Sequence, residues 1–419
     1  MRTVPGPRAP HRDDTVDTVD AVVVGGGASG LSLVCHLAAA GWHGDVLLVD
    51  DGAVPPDAPA WAYWSRGEGL LDGAASPGSD RLRVRGPGLD RTFDLGPYRY
   101  RTITGPRLRQ AADLLLAGAP GTRQVPGRVT EVSPDGVGAL VRVEPLDGSA
   151  PRTVRTRWVF DSVGPEIADP PATTPHLEFV GHRVECDADV FDPAVPTLMD
   201  FRTDQSAGLA FLYVLPTSPR AALVEHTRFV VPGGRARPDA DHQAALSRAL
   251  ADLGASHHRV VGVEQGTIPL HVAPPDRPAG CVVPLGTPAG MVKASTGYGY
   301  DRIQRHSAHI ARSLVRRGHP FDVPGPDRWH RGLDALLLEV VRDEPEAVVA
   351  VFSRLFAKNP AERVLAFLDE DTTLLEELLL FCTLPVAPYR RAVVRRLRRA
   401  ERSRAESSTP RTGAPVSRW

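Results

Sequence analysis

The chain has 419 residues, and its 49 Lys and Arg against 50 Asp and Glu give a net charge of −1, which argues against a general nucleic-acid binder. That length exceeds one ordinary domain, so two domains, or one with a large insertion, are expected. Cys35, Cys186, Cys281 and Cys382 stand far apart with no CxxC pair, as expected of reduced, mostly buried thiols in a cytoplasmic protein.

Residues 1–19 are rich in Pro, Arg and Asp and have no apolar h-region, so a disordered leader is expected rather than a signal peptide. Ala21 to Val24 form an apolar run too short for a helix, which enters Gly25, Gly26, Gly27 and Gly30. Leu31, Val34, Leu37 and Ala38 then recur at helical spacing, and Val46 to Val49 end on Asp50, twenty positions beyond Gly30. Strand, tight turn, helix, strand and acid in this order point to a dinucleotide. Gly25 permits the turn, Gly27 lets backbone approach a pyrophosphate and Gly30 packs helix on sheet, while the helix start at Ala28 and Ser29 offers N–H groups and a positive dipole end. Asp50 would accept hydrogen bonds from ribose hydroxyls and disfavours a 2′-phosphate, which points to FAD or NAD rather than NADP.

A Pro/Ala loop, Val54 to Ala60, precedes Trp61, Tyr63 and Trp64, which either anchor that loop or line a ligand cavity. After a polar stretch and Tyr98 to Arg101, a helix is expected over Arg107 to Ala117. Arg128 to Val132, Ala139 to Val143 and Val154 to Phe160 read as an antiparallel meander whose last strand runs into Asp161, beside the cofactor. From Thr173 the texture changes. Phe179 to Val184, Thr197 to Arg202, Ala207 to Pro216 and Arg220 to Phe229 read as a separate antiparallel sheet. A Pro/Gly/Arg linker (Pro232 to Pro238), a helix (His242 to Leu253) and a strand (Val260 to Ile268) follow.

Cys281 to Leu285 then meets Gly286 and Gly290, and Ser295 to Tyr300 opens a helix from Asp301 to Arg317. By the dipole argument this crossing is a second anion or flavin site, with Thr296, Gly297 and Tyr298 at the helix start. The expected fold class is α/β: a Rossmann-type FAD-binding domain in two pieces, 20–172 and 279–325, with an antiparallel β substrate domain inserted at 173–278. A C-terminal helical region (326–388) and a basic, partly disordered tail (389–419) complete the chain. The richest apolar run, Leu374 to Ala387, is interrupted by Glu376 and Glu377, so no membrane span is expected. The tail arginines from Arg390 to Arg404 read either as an interfacial helix attracted to anionic lipid or as a solvated tail. His306 and His309 share one side of a helix with no acid or cysteine to complete a set, so no metal site is expected.

Seven stretches resemble, in order, the flavin-dependent lycopene cyclase family over roughly Asp20 to Pro385. They are the turn at Gly25 to Gly30, the pair Phe191 to Pro193 and Met199 to Arg202, Phe211 to Pro216, Val224 to Thr227, Gly266 to Pro269, Gly286 to Arg302, and Phe352 to Leu368. The resemblance implies a two-dinucleotide-binding-domain flavoprotein-like fold and bound FAD in reduced form, with NAD(P)H as electron donor. It implies cyclisation of the ends of lycopene or a related polyene without net redox change; the basic tail separately leaves open a cytoplasmic protein held peripherally at the inner face of the membrane. Glu225 falls where the family has its essential acid. Many members carry a second acid at the next position; here it is His226, expected to share the reaction with Glu225 and to alter the proton relay, the product or the substrate. Arg202 either faces the flavin or pairs with Asp200, and Tyr298 and Tyr300 either border the flavin or pack locally. The alternatives are a cyclase of another terpenoid or meroterpenoid, or a redox monooxygenase or reductase. Hydroxylases of that kind carry Gly-Asp where this chain has Gly286-Thr287.

Overall fold

The computed structural model describes residues 16–52, 61–67, 69–119, 121–164, 174–233, 242–270, 280–325 and 327–408, with side chains through 399. Most of the expected leader, the loop from Val54 to Ala60, most of the linker after Pro232 and the end of the tail lie outside these residues.

The first strand, β1 (Asp17–Val24), starts inside the expected leader, and Ala21, Val22 and Val23 are wholly buried. Helix α1 (Ala28–Ala39) returns the chain to β2 (Val46–Asp50), which runs parallel to β1 with Ala21 opposite Val46. Next come β3 (Trp61–Ser65), the hairpin of β4 (Arg81–Gly86) and β5 (Leu89–Asp94), β6 (Arg99–Ile103) and α2 (Gly105–Leu116). The meander is present as β7 (Thr122–Asp135), β8 (Gly138–Pro145) and β9 (Arg152–Asp161). β9 lies parallel to β1, with Val24 opposite Asp161, and parallel to β15 (Val282–Pro284), with Pro284 opposite Asp161. The C-terminal ends of β1, β9 and β15 therefore meet at one edge of a six-stranded sheet, the place where open α/β sheets bind ligands.

The second sheet has seven strands in the order β14-β10-β13-β12-β11-β4-β5. Its new members are β10 (His176–Cys186), β11 (Thr197–Asp200), β12 (Ala210–Ser218), β13 (Ala221–Val230) and, after α3 (His242–Asp252), β14 (His258–Pro269). The β4–β5 hairpin, expected within 20–172 of the cofactor unit, pairs instead with this sheet, β4 parallel to β11. Alternation explains it: Leu82 and Val84 are buried, while Arg83 and Arg85 face out to Asp90.

Each face of the second sheet is covered. On one, Val184, Leu212, Val214, Ala222 and Val224 pack against Leu246 and Leu250 of α3. On the other, Leu177, Phe211, Leu215, Leu223 and Phe229 join a core with the C-terminal helices. After α4 (Tyr300–Arg317) these helices are α5 (Arg328–Asp343), α6 (Pro345–Lys358), α7 (Ala361–Leu368), α8 (Leu374–Phe381) and α9 (Val386–Ser408). Phe352 of α6 stacks on Phe201 at 5.8 Å between ring centres. The basic tail is helical through Ser408, and its first part docks along one side: Arg391 and Arg395 pair with Glu344, and Arg399 pairs with Glu339 and Asp343.

Candidate functional site

The glycine turn after β1 is built by close approach. Gly25 has φ 91°, a conformation that suits glycine, and its N–H donates to the Val49 carbonyl at 2.8 Å. A Cβ on Gly30 would lie 1.9 Å from the Gly25 oxygen, so α1 starts against the bare backbone of its own turn, and one on Gly286 would lie 2.1 Å from Ser29 Oγ, so the crossing after β15 abuts the start of α1. At Gly27 an added Cβ would meet no atom within 4 Å. Helix α1 has no capping side chain and no acid in its first turn, which leaves its first N–H groups, at Ala28, Ser29 and Gly30, available to an anion. An open approach, an uncapped helix start and a strand-end acid fit a dinucleotide pyrophosphate and ribose.

Asp50 stands at the end of β2, where Arg109 of α2 pairs with it at 2.8 Å and also donates to the Gly26 carbonyl at 2.7 Å. Sequence reasoning missed Arg109, since nothing local on α2 marks it. Asp161 accepts the N–H groups of Val163 at 2.9 Å and Gly164 at 3.1 Å and so shapes the turn leaving β9.

The segment after β15 links the two sheets. The Gly290 N–H donates to the Thr287 carbonyl at 2.9 Å, and the Tyr298 N–H donates to Thr296 Oγ1 at 3.3 Å. Gly297, at φ 77°, abuts β10: a Cβ there would lie 2.4 Å from Leu177 Cδ1. Lys293 anchors the loop. Its buried ammonium reaches Asp334 of α5 at 3.2 Å and Glu370 at 2.8 Å, while its backbone N–H donates to the Tyr298 carbonyl at 2.8 Å. Lys293 and its two acids are a second feature that the sequence reading did not single out.

Tyr298 thereby enters a cluster of aromatic rings. Its ring centre is 4.7 Å from that of Trp64, and its hydroxyl is 3.4 Å from that of Tyr100 and bonded to that of Tyr213. Tyr300 packs instead on Tyr63, with ring centres 4.6 Å apart. Tyr213 of β12 is directly opposite Glu225 of β13. Strand alternation puts Leu223, Glu225, Thr227 and Phe229 on the inner face, and Thr227 Oγ1 donates to Glu225 Oε1 at 2.9 Å. Burial, with the negative Glu264 nearby, pushes the Glu225 carboxyl up from its ordinary 4.5 to about 8. The Thr227 bond and Arg183 pull the other way.

His226 is corrected by the same alternation. It lies on the opposite face, 97 % buried against α3, with Nδ1 2.9 Å from His242 Nδ1. Burial, then His242, pushes it down to about 4, so it is a neutral ring in the outer core and does not share a space with Glu225. Arg202 takes the other of its two alternatives, holding Asp200 through Nε at 2.9 Å and Nη2 at 2.7 Å.

The sequence model of the lycopene cyclase proteins matches residues 20–394. The chain belongs to the lycopene cyclase family. It is 28% identical over 324 residues to a lycopene beta-cyclase of Paracoccus sp., spanning 74% of this chain and 76% of that one. Over 144 residues it is 31% identical to the chloroplastic lycopene beta cyclase of Arabidopsis thaliana, spanning 33% of this chain and 28% of that one. Among solved structures, a geranylgeranyl bacteriochlorophyll reductase-like protein of Thermoplasma acidophilum is similar with a TM-score of 0.56 at 14% identity, covering 90% of this chain and 96% of that one. A p-nitrophenol 4-monooxygenase of Pseudomonas putida is similar with a TM-score of 0.55 at 18% identity, covering 87% and 98%. The fold of this lycopene cyclase family member is thus that of flavoprotein monooxygenases and reductases.

The family member has an apolar cavity of about 290 Å³ under its C-terminal helices, lined by Leu337, Phe352, Phe367, Phe381 and Tyr389, with Ser295 at its edge. Among the described residues no helix is long and apolar enough to cross a membrane. Leu374, Leu375, Leu378 and Leu379 of α8 are nevertheless exposed, as are Val386, Val393, Val394 and Leu397 of α9.

Proposed function

We propose that this protein is an FAD-dependent, non-redox cyclase that closes the ends of lycopene or a related apolar polyene into six-membered rings. What carries the reading is Glu225: a carboxyl kept protonated near neutral pH, on the inner face of a sheet, beside a cluster of electron-rich rings. Gly25, Gly27, Ala28, Ser29 and Gly30 would hold the pyrophosphate of FAD and Asp50 its ribose, while Asp161, Gly286, Gly290, Thr296, Gly297 and Tyr298 border the other side. When bound and reduced, with NAD(P)H as donor, the flavin supplies negative charge near the cation.

The remaining steps belong to the protein. Glu225 donates its proton to a terminal double bond, and the cation formed is attacked by a neighbouring double bond. Trp64, Tyr100, Tyr213 and Tyr298 present π faces and exclude water; each well-placed ring contributes about 2 kcal/mol in a dry site. The Glu225 carboxylate then removes a proton, so mass and oxidation state are unchanged. The apolar cavity beside Ser295 suits part of a hydrocarbon chain. The exposed leucines of α8, next to a helix carrying Arg390, Arg396 and Arg398, suit peripheral attachment to an anionic membrane from which such a substrate would come.

The test is anaerobic incubation of FAD-loaded protein, reduced, with lycopene and several other linear polyenes. A cyclic product of unchanged mass supports the reading, with Glu225→Gln inactive but still flavin-bound. A product heavier by one oxygen, or stoichiometric consumption of NAD(P)H, sinks it.

A further inference from the structure

β13, β10 and β14 are neighbours, and their registers place Glu225 opposite Gly181 and Gly181 opposite Glu264. In such a row the outer residues are about 10 Å apart at Cα and are normally separated by the middle side chain. Here the middle residue has none. A Cβ on Gly181 would lie 2.9 Å from Leu223 Cδ1, 3.0 Å from Glu264 Cγ and 3.4 Å from Glu225 Cβ, so both acids, with Leu223, border the same bare backbone. The Glu264 side chain is 98 % buried, and its Oε2 is held 2.7 Å from Nη2 of Arg183, itself one third exposed. Around Glu225 stand Thr227 on its own strand, Tyr213 from β12, Arg183 and Glu264 across β10 and β14, and Tyr100 and Tyr298 from the cofactor side.

We propose that Glu264 is a positioning residue for the acid Glu225: held as a carboxylate by Arg183, it faces Glu225 across Gly181 and keeps Glu225 in the protonated form. The inference rests on the reading of Glu225 as the acid. Its basis is that two carboxyl groups sharing a poorly solvated space do not both ionise readily. Arg183 fixes which one carries the charge, and Glu225, bonded by Thr227 and opposite Tyr213, carries the proton. The same repulsion acts when the reaction ends. The Glu225 O–H bond breaks as a C–H bond forms on the polyene. A C–H bond next to the cyclised cation then breaks, and the electron-rich pair of carboxylates favours re-forming O–H on Glu225. No oxidant or reductant is consumed. The second acid of the site thus comes from a different strand and not from position 226.

The test is a pH titration of the protonated-carboxyl infrared band in FAD-loaded protein without substrate, assigned to Glu225 by its loss in Glu225→Gln. Glu264→Gln is expected to move the midpoint down by about one pH unit or more. The pH at which turnover fails should move down with it. Glu264→Asp keeps the charge but draws it back by one methylene. It should move the midpoint the same way by less, and it serves if Glu264→Gln does not fold. An unmoved midpoint in these variants overturns the proposal while leaving Glu225 as the acid. If the midpoint moves but Glu225→Gln still cyclises its substrate, the acid reading fails, and the role of Glu264 falls with it.

Discussion

Glu225→Gln should stabilise the folded protein, and the gain should grow with pH. In the fold the Glu225 carboxyl is pushed up from 4.5 to about 8, so the folded state holds a proton that the unfolded chain has released. For a group raised in the fold, its contribution to stability is fully present below 4.5 and is lost as pH rises to about 8. At about 1.36 kcal/mol per pH unit, that interval sets a ceiling near 5 kcal/mol. Water at a half-buried carboxyl screens part of this, and about 2–4 kcal/mol is the expected cost at pH 8.5. With an unfolding entropy of about 2 cal/mol/K per residue, a chain this long shifts its melting temperature by roughly 1 °C per kcal/mol. Glutamine is nearly isosteric and never ionises, so scanning calorimetry should show Glu225→Gln melting about 2–5 °C above the parent at pH 8.5 but within about 1 °C at pH 5. An equal loss of stability at both pH values would mean that Glu225 is ordinary packing and holds no strained charge.

Three further outcomes follow from the geometry. Gly30→Ala drives a methyl to 1.9 Å from the Gly25 carbonyl oxygen, so the helix must shift off the sheet; purified protein should lack the flavin absorbance of the parent. Asp50→Ala removes the acid at the end of β2 and leaves Arg109 without its ion pair; FAD affinity measured by fluorescence quenching should fall about tenfold or more, as for loss of a charged hydrogen bond. Unchanged affinity would remove Asp50 from the ribose. Trp64→Leu keeps an apolar filler but takes away the ring packed on Tyr298; turnover should fall about tenfold with FAD still bound, and an equal loss in flavin content would mark the ring as structural only.

The parts of this molecule that could be read from the chain are those whose physics is local. The β1–α1–β2 unit announces itself because the turn, the phosphate approach and the helix packing each demand glycine at a fixed place, and the structure contains that unit with Gly25 at φ 91°. Arg81, Leu82, Arg83, Val84 and Arg85 alternate as an edge-region strand does, yet they read as a polar stretch, because their partner β11 begins at Thr197 and the pairing is parallel and distant in sequence. The faces of β13 show the sharper limit. Glu225 and His226 are neighbours in sequence, so alternation guarantees that only one of them faces the inner side, but which one depends on where α3 and the aromatic rings are placed. Glu264 is harder still to see. Its relation to Glu225 exists only through two strand registers and the missing side chain of Gly181, and none of these three residues lies within a motif that names the others. A site that looked from the chain like one acid followed by one base is a pair of acids joined across three strands, and substitutions that change this chemistry should therefore be sought at positions 181, 183 and 264 before position 226.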